Sequence, residues 1–250
     1  MKLFRHGAVG AERAGALDAR GVKRDLSWLV PDITPDWLSP EKLRAIAAID
    51  IEKLPAVADG TRIGAPVGGV RQFVAIGLNY RKHAAEAGMR IPKDPVVFNK
   101  AITCIQGPND DLNWPERSEK MDWEVELAFV VGTKAQRSGQ WVKGKSFDTF
   151  GPLGPWLVTV DEIPDPQTLP ISLAVNGAMR QNSNTSDMIF SVAEILSHLS
   201  QFMTLLPGDV VVTGTPEGVG AAMKPRRFLK RGDVIELEGG ILGAQRQRVV

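Results

Sequence analysis

Asp122-Trp123-Glu124-Val125-Glu126-Leu127-Ala128-Phe129-Val130-Val131-Gly132 is the stretch on which the reading of the fold turns. Read as a β-strand ending at Gly132, it sends Asp122, Glu124 and Glu126 to one face and Trp123, Val125 and Leu127 to the other. Carboxylates side by side on a sheet face repel one another and resist desolvation. A hard divalent cation relieves both costs. Mg²⁺ in particular is commonly held by few carboxylates, with water and substrate oxygens completing its shell. An amphipathic strand with a wet acidic face explains the same pattern, so the strand alone leaves both readings open.

Composition narrows the classes. At 250 residues the chain is long enough for one large domain, or a large domain with a small one. The formal net charge of +1 gives no global electrostatic case for nucleic acid or a membrane surface. The single cysteine, Cys104, excludes an internal disulfide and reads as a small buried side chain within an apolar stretch. Met1-Lys2-Leu3-Phe4-Arg5-His6 is not followed by the apolar core of a signal peptide, and no apolar run reaches membrane-spanning length. The expectation is a cytoplasmic protein.

Residues 1–65 read as a small N-terminal unit. Lys2–His6, Ala14–Asp18 and Gly21–Asp25 have the character of short strands. Ser39-Pro40-Glu41-Lys42 is a helix start, with Ser as N-cap and Pro in the first turn. His6 reads as structural or solvated. Gly60 to Gly69 is rich in Gly and Pro and reads as a linker. A larger domain is expected over 70–250.

That larger part carries the chemistry-bearing residues. Val70–Gly77 reads as a buried strand and Asn79 to Gly88 as a short helix ended by Gly88. His83 and Glu86 share a face of that helix. A carboxylate beside an imidazole fixes its tautomer and raises its basicity, which suits a general base acting on water; a surface ion pair has the same spacing. Pro95–Lys100 is a strand ending in a lysine, a common edge device. Lys143-Gly144-Lys145 reads as a basic loop followed by Asp148. Ile171–Asn176, Gly177 and Ala178–Gln181 form a hairpin around Asn-Gly. Thr185-Ser186-Asp187 reads as the cap of a helix carrying Ile189, Phe190, Val192, Ile195 and Leu196; His198, late in it, reads as structural. Thr213-Gly214-Thr215-Pro216-Glu217-Gly218-Val219-Gly220 lets backbone N–H groups approach an anion, but it lacks the Gly-Lys-Ser/Thr of a nucleotide loop and reads equally as a turn.

Taken in order, Gly77-Leu78-Asn79-Tyr80 with His83 and Glu86, then the acidic strand, Lys145-Ser146-Phe147-Asp148 and the Thr213–Gly220 loop resemble the fumarylacetoacetate hydrolase family. The resemblance runs from about Phe73 to the C-terminus. It implies an α+β fold: a mixed β-sandwich or β-roll of that family's C-terminal type, behind a small N-terminal domain. It also implies a homodimer and a metal-dependent hydrolase that cleaves a C–C bond in a 2,4-diketo acid (an acylpyruvate) to pyruvate and an acid, in sugar-acid catabolism. On this resemblance Glu124 and Glu126 hold Mg²⁺ or Mn²⁺. His83, Glu86, Lys100 and Lys145 are catalytic, and Asn79, Tyr80, Gly214 and Thr215 face the substrate. The alternatives within the family are decarboxylation or isomerisation of a related 2-oxo acid, or ureidoglycolate lyase activity.

One part of the pattern is missing. The resemblance implies a strand bearing a third metal-binding Asp after the acidic strand, yet no Asp or Glu lies from Gly132 through Ser146. Losing a strand and a ligand together is hard to accommodate in a close-packed core. The expectation is therefore a lid or strand segment skipped near 136–138. If the segment is truly deleted, the alternative of another class is a non-catalytic family member with an incomplete metal site.

Overall fold

Val210–Val212 is buried throughout, as a central strand of a covered sheet must be. In the computed structural model, which describes residues 1–115, 120–131 and 145–250, it pairs parallel with Phe73–Gly77 and antiparallel with Ala128–Val130. Val96–Lys100 adds antiparallel to the far side of Phe73–Gly77, giving a mixed four-stranded sheet. A second, antiparallel sheet runs Ala178–Asn184, Pro170–Val175, Val234–Glu238, Ala244–Arg248. Its hairpin turns on Asn176 and Gly177, both at positive φ (52° and 73°), as the Asn-Gly pair requires. The protein is mostly sheet with few helices. Among the described residues no helix is long and apolar enough to cross a membrane.

The N-terminal strands Lys2–His6, Arg13–Leu17 and Lys23–Asp25 pair in sequence order. Leu157–Val158, from much later in the chain, pairs with Lys2–His6 on its other side. The Gly60–Gly69 stretch is not a free linker. Ile63–Gly64 pairs with Lys2–His6, and residues 63–68 are buried. The helix Pro40–Ala47 begins where Ser39, Pro40 and Glu41 place it, with Ser39 Oγ accepting from the Lys42 N–H.

Side chains alternate faces along Phe73–Gly77, and both faces are covered. Phe73 and Ala75 pack with Leu3, Leu26 and Phe98. Val74 and Ile76 pack with Val211 and with Ile195 and Leu199 of the helix Val192–Phe202. That helix starts later than the sequence suggests. Thr185–Asp187 is a separate 3₁₀ turn, and the cap is Ser191, whose side chain and that of Glu194 form a reciprocal capping box. The box outcompetes Thr185 because it satisfies two end donors at once.

The acidic stretch departs from expectation in an instructive way. Its alternation holds: Met121, Trp123, Val125 and Leu127 are buried and pack with Ile171, Leu173 and Ile235 of the second sheet. Ladder pairing, however, is confined to Ala128–Val130 among the described residues. Upstream, the backbone is satisfied by other partners. Val125 N–H donates to Gln181 Oε1 (3.0 Å), and the Met121 carbonyl accepts from Leu229 N–H (2.8 Å). Residues 116–119 and 132–144, with Lys143 and the expected skipped segment near 136–138, lie outside the described residues.

Candidate active site

The alternation of 121–127 fixes where the carboxylates go. With Trp123, Val125 and Leu127 committed to the core, Asp122, Glu124 and Glu126 point the other way. Glu124, Glu126, Lys100 and Lys145 line one cavity of about 630 Å³, a volume suited to a small ligand. Lys145 pairs with Glu124 and lies over the Phe98 ring, 5.5 Å from its centroid. Lys100 donates to the Phe150 carbonyl (2.7 Å) and lies 4.9 Å from the Phe73 ring centroid. Glu126 accepts from the Gly214 N–H.

The electrostatics of the four groups differ. Burial lowers the Lys100 pKa and disfavours its ammonium. Lys145 goes up instead, because Glu124 and Glu126 outweigh the same burial effect. Glu124 goes down, since Lys145 outweighs burial. Glu126 goes up, driven by burial and, against the pull of Lys145, by the like charge of Glu124. Glu124 is thus held ionised by its lysine partner, while Glu126 is the carboxylate whose ionised form the site favours least.

A hard divalent cation would favour the ionised form of both carboxylates. Glu124 and Glu126 would hold it, with water and substrate oxygens in the remaining positions, a donor set that Mg²⁺ accepts. Among the described residues no group of three His, Cys, Asp or Glu is gathered for a metal. Asp122 does not join the pair. Its two oxygens accept from the Gly220 and Ala221 N–H groups, both at 2.8 Å, and so tether the glycine-rich loop to the acidic stretch.

His83 and Glu86 sit on the helix Arg81–Glu86, reached through Leu78, a non-glycine residue at φ 53°. His83 Nδ1 is 2.8 Å from Glu86 Oε1. Both Glu86 oxygens accept from the Gly218 N–H, at 3.1 and 3.0 Å. The dyad is thus pinned to the loop that also touches Glu126 through Gly214. The loop needs its glycines. At Gly214 (φ +93°) a Cβ would lie 2.9 Å from Asn79 Cβ and 3.0 Å from the Ile76 carbonyl oxygen.

Three of the substrate-facing candidates have their polar groups engaged elsewhere. Asn79 is fully buried; its amide donates to the Phe190 and Thr213 carbonyls (3.0 and 2.8 Å) and accepts from the Phe190 N–H (2.8 Å). Thr215 is buried, and its hydroxyl accepts from Gln181 Nε2 at 2.8 Å. The Gly214 N–H serves Glu126. Tyr80 is buried with a hydroxyl that finds no partner among the described residues, and burial pushes its pKa up, so the phenol stays protonated. Gln181 escaped sequence reading. A buried glutamine that ties Val125, Thr215 and Pro216 together carries no local signal in the sequence.

Comparison with known proteins bears on this geometry. The fumarylacetoacetate hydrolase C-terminal family model matches residues 72–140 and 133–250. A protein of Burkholderia cenocepacia, described no further than as a hydrolase, is 50% identical over 277 residues, covering 99% of this chain and 98% of its own. With 250 residues against an alignment of 277, the relative carries positions this chain does not fill. The two family-model matches overlap at 133–140. Among solved structures, a fumarylacetoacetate hydrolase from Exiguobacterium antarcticum has TM-score 0.85 at 32% identity, covering 100% of this chain and 99% of its own. A maleylpyruvate hydrolase from Sphingobium sp. SYK-6, in complex with manganese(II) and pyruvate, has TM-score 0.81 at 26% identity, covering 100% and 99%. A 2-hydroxyhepta-2,4-diene-1,7-dioate isomerase from Mycobacterium marinum has TM-score 0.71 at 28% identity, covering 100% and 98%.

Proposed function

The chain belongs to the fumarylacetoacetate hydrolase family, and from that premise we propose that it hydrolyses a C–C bond in a 2,4-diketo acid with the help of Mg²⁺ or Mn²⁺. The observation that carries the reading is the convergence of Glu124, Glu126, Lys100 and Lys145 on one cavity, with the His83–Glu86 pair fastened to the loop whose Gly214 N–H donates to Glu126. The reaction adds water across the bond between C3 and the C4 carbonyl. An acylpyruvate and water give a carboxylic acid and pyruvate.

Each residue has a task in that balance. Glu86 accepts from His83 Nδ1, which leaves Nε2 as the lone-pair nitrogen that takes a proton from water as the water attacks C4. Lys100 and Lys145 supply positive charge beside the oxygens of the departing pyruvate enolate. The same chemistry requires C3 to regain a proton, and the protonated His83 can return the one it took. Glu124 and Glu126 would hold the cation, which when bound supplies Lewis-acid polarisation of the 2-oxo acid end. The Asn79 clamp keeps the Gly77–Tyr80 turn and the Thr213–Gly214 corner in register, so its contribution is to positioning.

The test is pyruvate release from an acylpyruvate, followed with and without Mn²⁺. Glu124→Gln is expected to abolish metal-dependent release. Unchanged turnover in that variant would overturn the metal assignment. A second reading has its own support: a family isomerase shares the fold, and the His83–Glu86 pair lies on a helix apart from the extended stretch that carries Glu124 and Glu126. Isomerisation or decarboxylation of a 2-oxo acid needs the carboxylates and lysines but no attacking water. Full activity in His83→Ala would make that reading the correct one.

A further inference from the structure

Glu124 and Glu126 share a face only while Val125, the residue between them, stays extended. Among the described residues no ladder partner holds it so. Strand pairing begins at Ala128, and the Val125 N–H donates instead to the side chain of Gln181, at 3.0 Å. We infer that Gln181 is a positioning residue for the cation site: its amide fixes the spacing of the two carboxylates and couples it to the loop on which the His83–Glu86 dyad is fastened. The inference rests on the reading of Glu124 and Glu126 as cation ligands, and goes beyond it by naming what presets them.

The amide has one workable orientation. The Val125 N–H can only donate and the Pro216 carbonyl can only accept, so Oε1 faces the acidic stretch and Nε2 faces the loop. Nε2 donates to the Pro216 carbonyl (2.9 Å) and to Thr215 Oγ1 (2.8 Å). The same loop donates its Gly214 N–H to Glu126 and its Gly218 N–H to both Glu86 oxygens. A shift of the loop therefore reaches a cation ligand and the dyad together, and Gln181 bridges that loop to the residue between the ligands.

The strand beneath Gln181 is shaped to aim it. Leu173 pairs with Gln181 but Ala174 pairs with Met179, so Arg180 is the extra residue of a β-bulge. A bulge turns a neighbouring side chain away from the regular pleat. The loop is seated directly on this spot. A Cβ at Gly218 would lie 2.0 Å from the Arg180 carbonyl oxygen and 3.3 Å from Gln181 Cγ. Gln181 is buried, and both of its amide hydrogens are committed to the loop. It has no donor left for a substrate, so its contribution is to position the groups that do the chemistry.

The experiment measures Mn²⁺ binding to the full chain by titration calorimetry, and the electron paramagnetic resonance spectrum of the bound ion, at a temperature where every variant is folded. Gln181→Met fills similar space and removes all three hydrogen bonds. Its Mn²⁺ affinity is expected to fall about tenfold, the low end of what losing a partner that orients metal ligands costs, with a changed spectrum. Gln72→Met is the control for lost stability. It removes side-chain bonds to the Thr204 carbonyl and to Asp209, neither of them a site residue, and should melt lower with Mn²⁺ affinity unchanged. Wild-type affinity in Gln181→Met overturns the inference, and so does an equal loss in Gln72→Met. If Gln181→Met does not fold, Gln181→Glu decides. Burial favours its protonated form, which reproduces the amide's donor and acceptor, whereas its carboxylate would turn an acceptor on the Pro216 carbonyl. Its affinity relative to wild type should therefore fall between pH 6 and pH 8. A ratio that stays level or rises overturns the inference, a rise being what added negative charge alone produces. The readings fail separately. Absence of wild-type Mn²⁺ binding removes the cation reading and this inference together, while binding that is lost in Glu124→Gln but survives in Gln181→Met removes this inference alone.

Discussion

His83 Nδ1 stands 2.8 Å from Glu86 Oε1, and the contact joins two residues one helical turn apart on the helix Arg81–Glu86. His83→Ala should therefore lower pyruvate release by roughly 10²–10⁴-fold, the usual size of general-base catalysis, with substrate binding little changed. Added imidazole should restore part of the rate. Glu86→Ala should lose less, because the carboxylate acts through the ring, and Glu86→Asp should recover part of that loss. A steady-state comparison of the four proteins checks the ordering.

Lys100 gives a pH signature. Burial lowers its folded-state pKa below the ordinary lysine value, so between the two values the unfolded chain holds more protons than the folded one. Stability then rises with pH across that window. Lys145 has the opposite sign: its folded pKa is raised, and the stability it contributes is lost only as pH rises through that raised value, above the ordinary lysine range. From neutral pH towards the ordinary lysine pKa the Lys100 effect should therefore be visible without opposition. Urea midpoints at pH 7 and 10 should show the wild type gaining stability relative to Lys100→Met. A gap that stays constant with pH would contradict the buried ammonium.

Glu126 tests the cation. Its pKa is raised by burial and by Glu124, so metal-free protein should gain stability when the Glu126 charge is removed. Glu126→Gln should melt higher than wild type without Mn²⁺. With Mn²⁺ at about 100 times its dissociation constant, the wild type should gain about 2.7 kcal/mol, and the variant far less. A crossover of the two melting temperatures on adding metal is the expected result of a thermal-shift titration. Equal metal responses would show that Glu126 is no ligand.

How much of this could be read from the sequence depended on how local the signal was. Ser39 with Pro40 marks a helix start, and Asn176-Gly177 marks a hairpin, because each motif solves a backbone problem within four residues. The alternation over 121–127 sorted core from site for the same reason. The end of the ladder at Ala128 was not readable, since what replaces it is Gln181, more than fifty positions away. Nor was the parallel pairing of Phe73–Gly77 with Val210–Val212, or the tethering of Gly220 and Ala221 by Asp122. Of the candidate site, the shared face of Glu124 and Glu126 and the His83–Glu86 contact were legible. Which polar groups are already consumed by the fold was not.

Asn79 makes that last distinction measurable. Motif reading places it against substrate, while the structure commits both of its amide hydrogens and its oxygen to the backbone of Thr213 and Phe190. Three hydrogen bonds at about 1 kcal/mol each, lost from a fully buried position, should cost Asn79→Ala roughly 3 kcal/mol. In a chain of this size that lowers the melting temperature by roughly 6–12 °C, at about 2–4 °C per kcal/mol. Asn79→Asp keeps the acceptor for the Phe190 N–H but turns its other oxygen on the Thr213 carbonyl, so it should be no better tolerated. If the residue is a clamp, KM for the folded fraction at low temperature should stay close to wild type, whereas a substrate ligand would raise KM with little loss of stability. Paired urea denaturation and Michaelis analysis of Asn79→Ala decide between them, because the two roles move different observables.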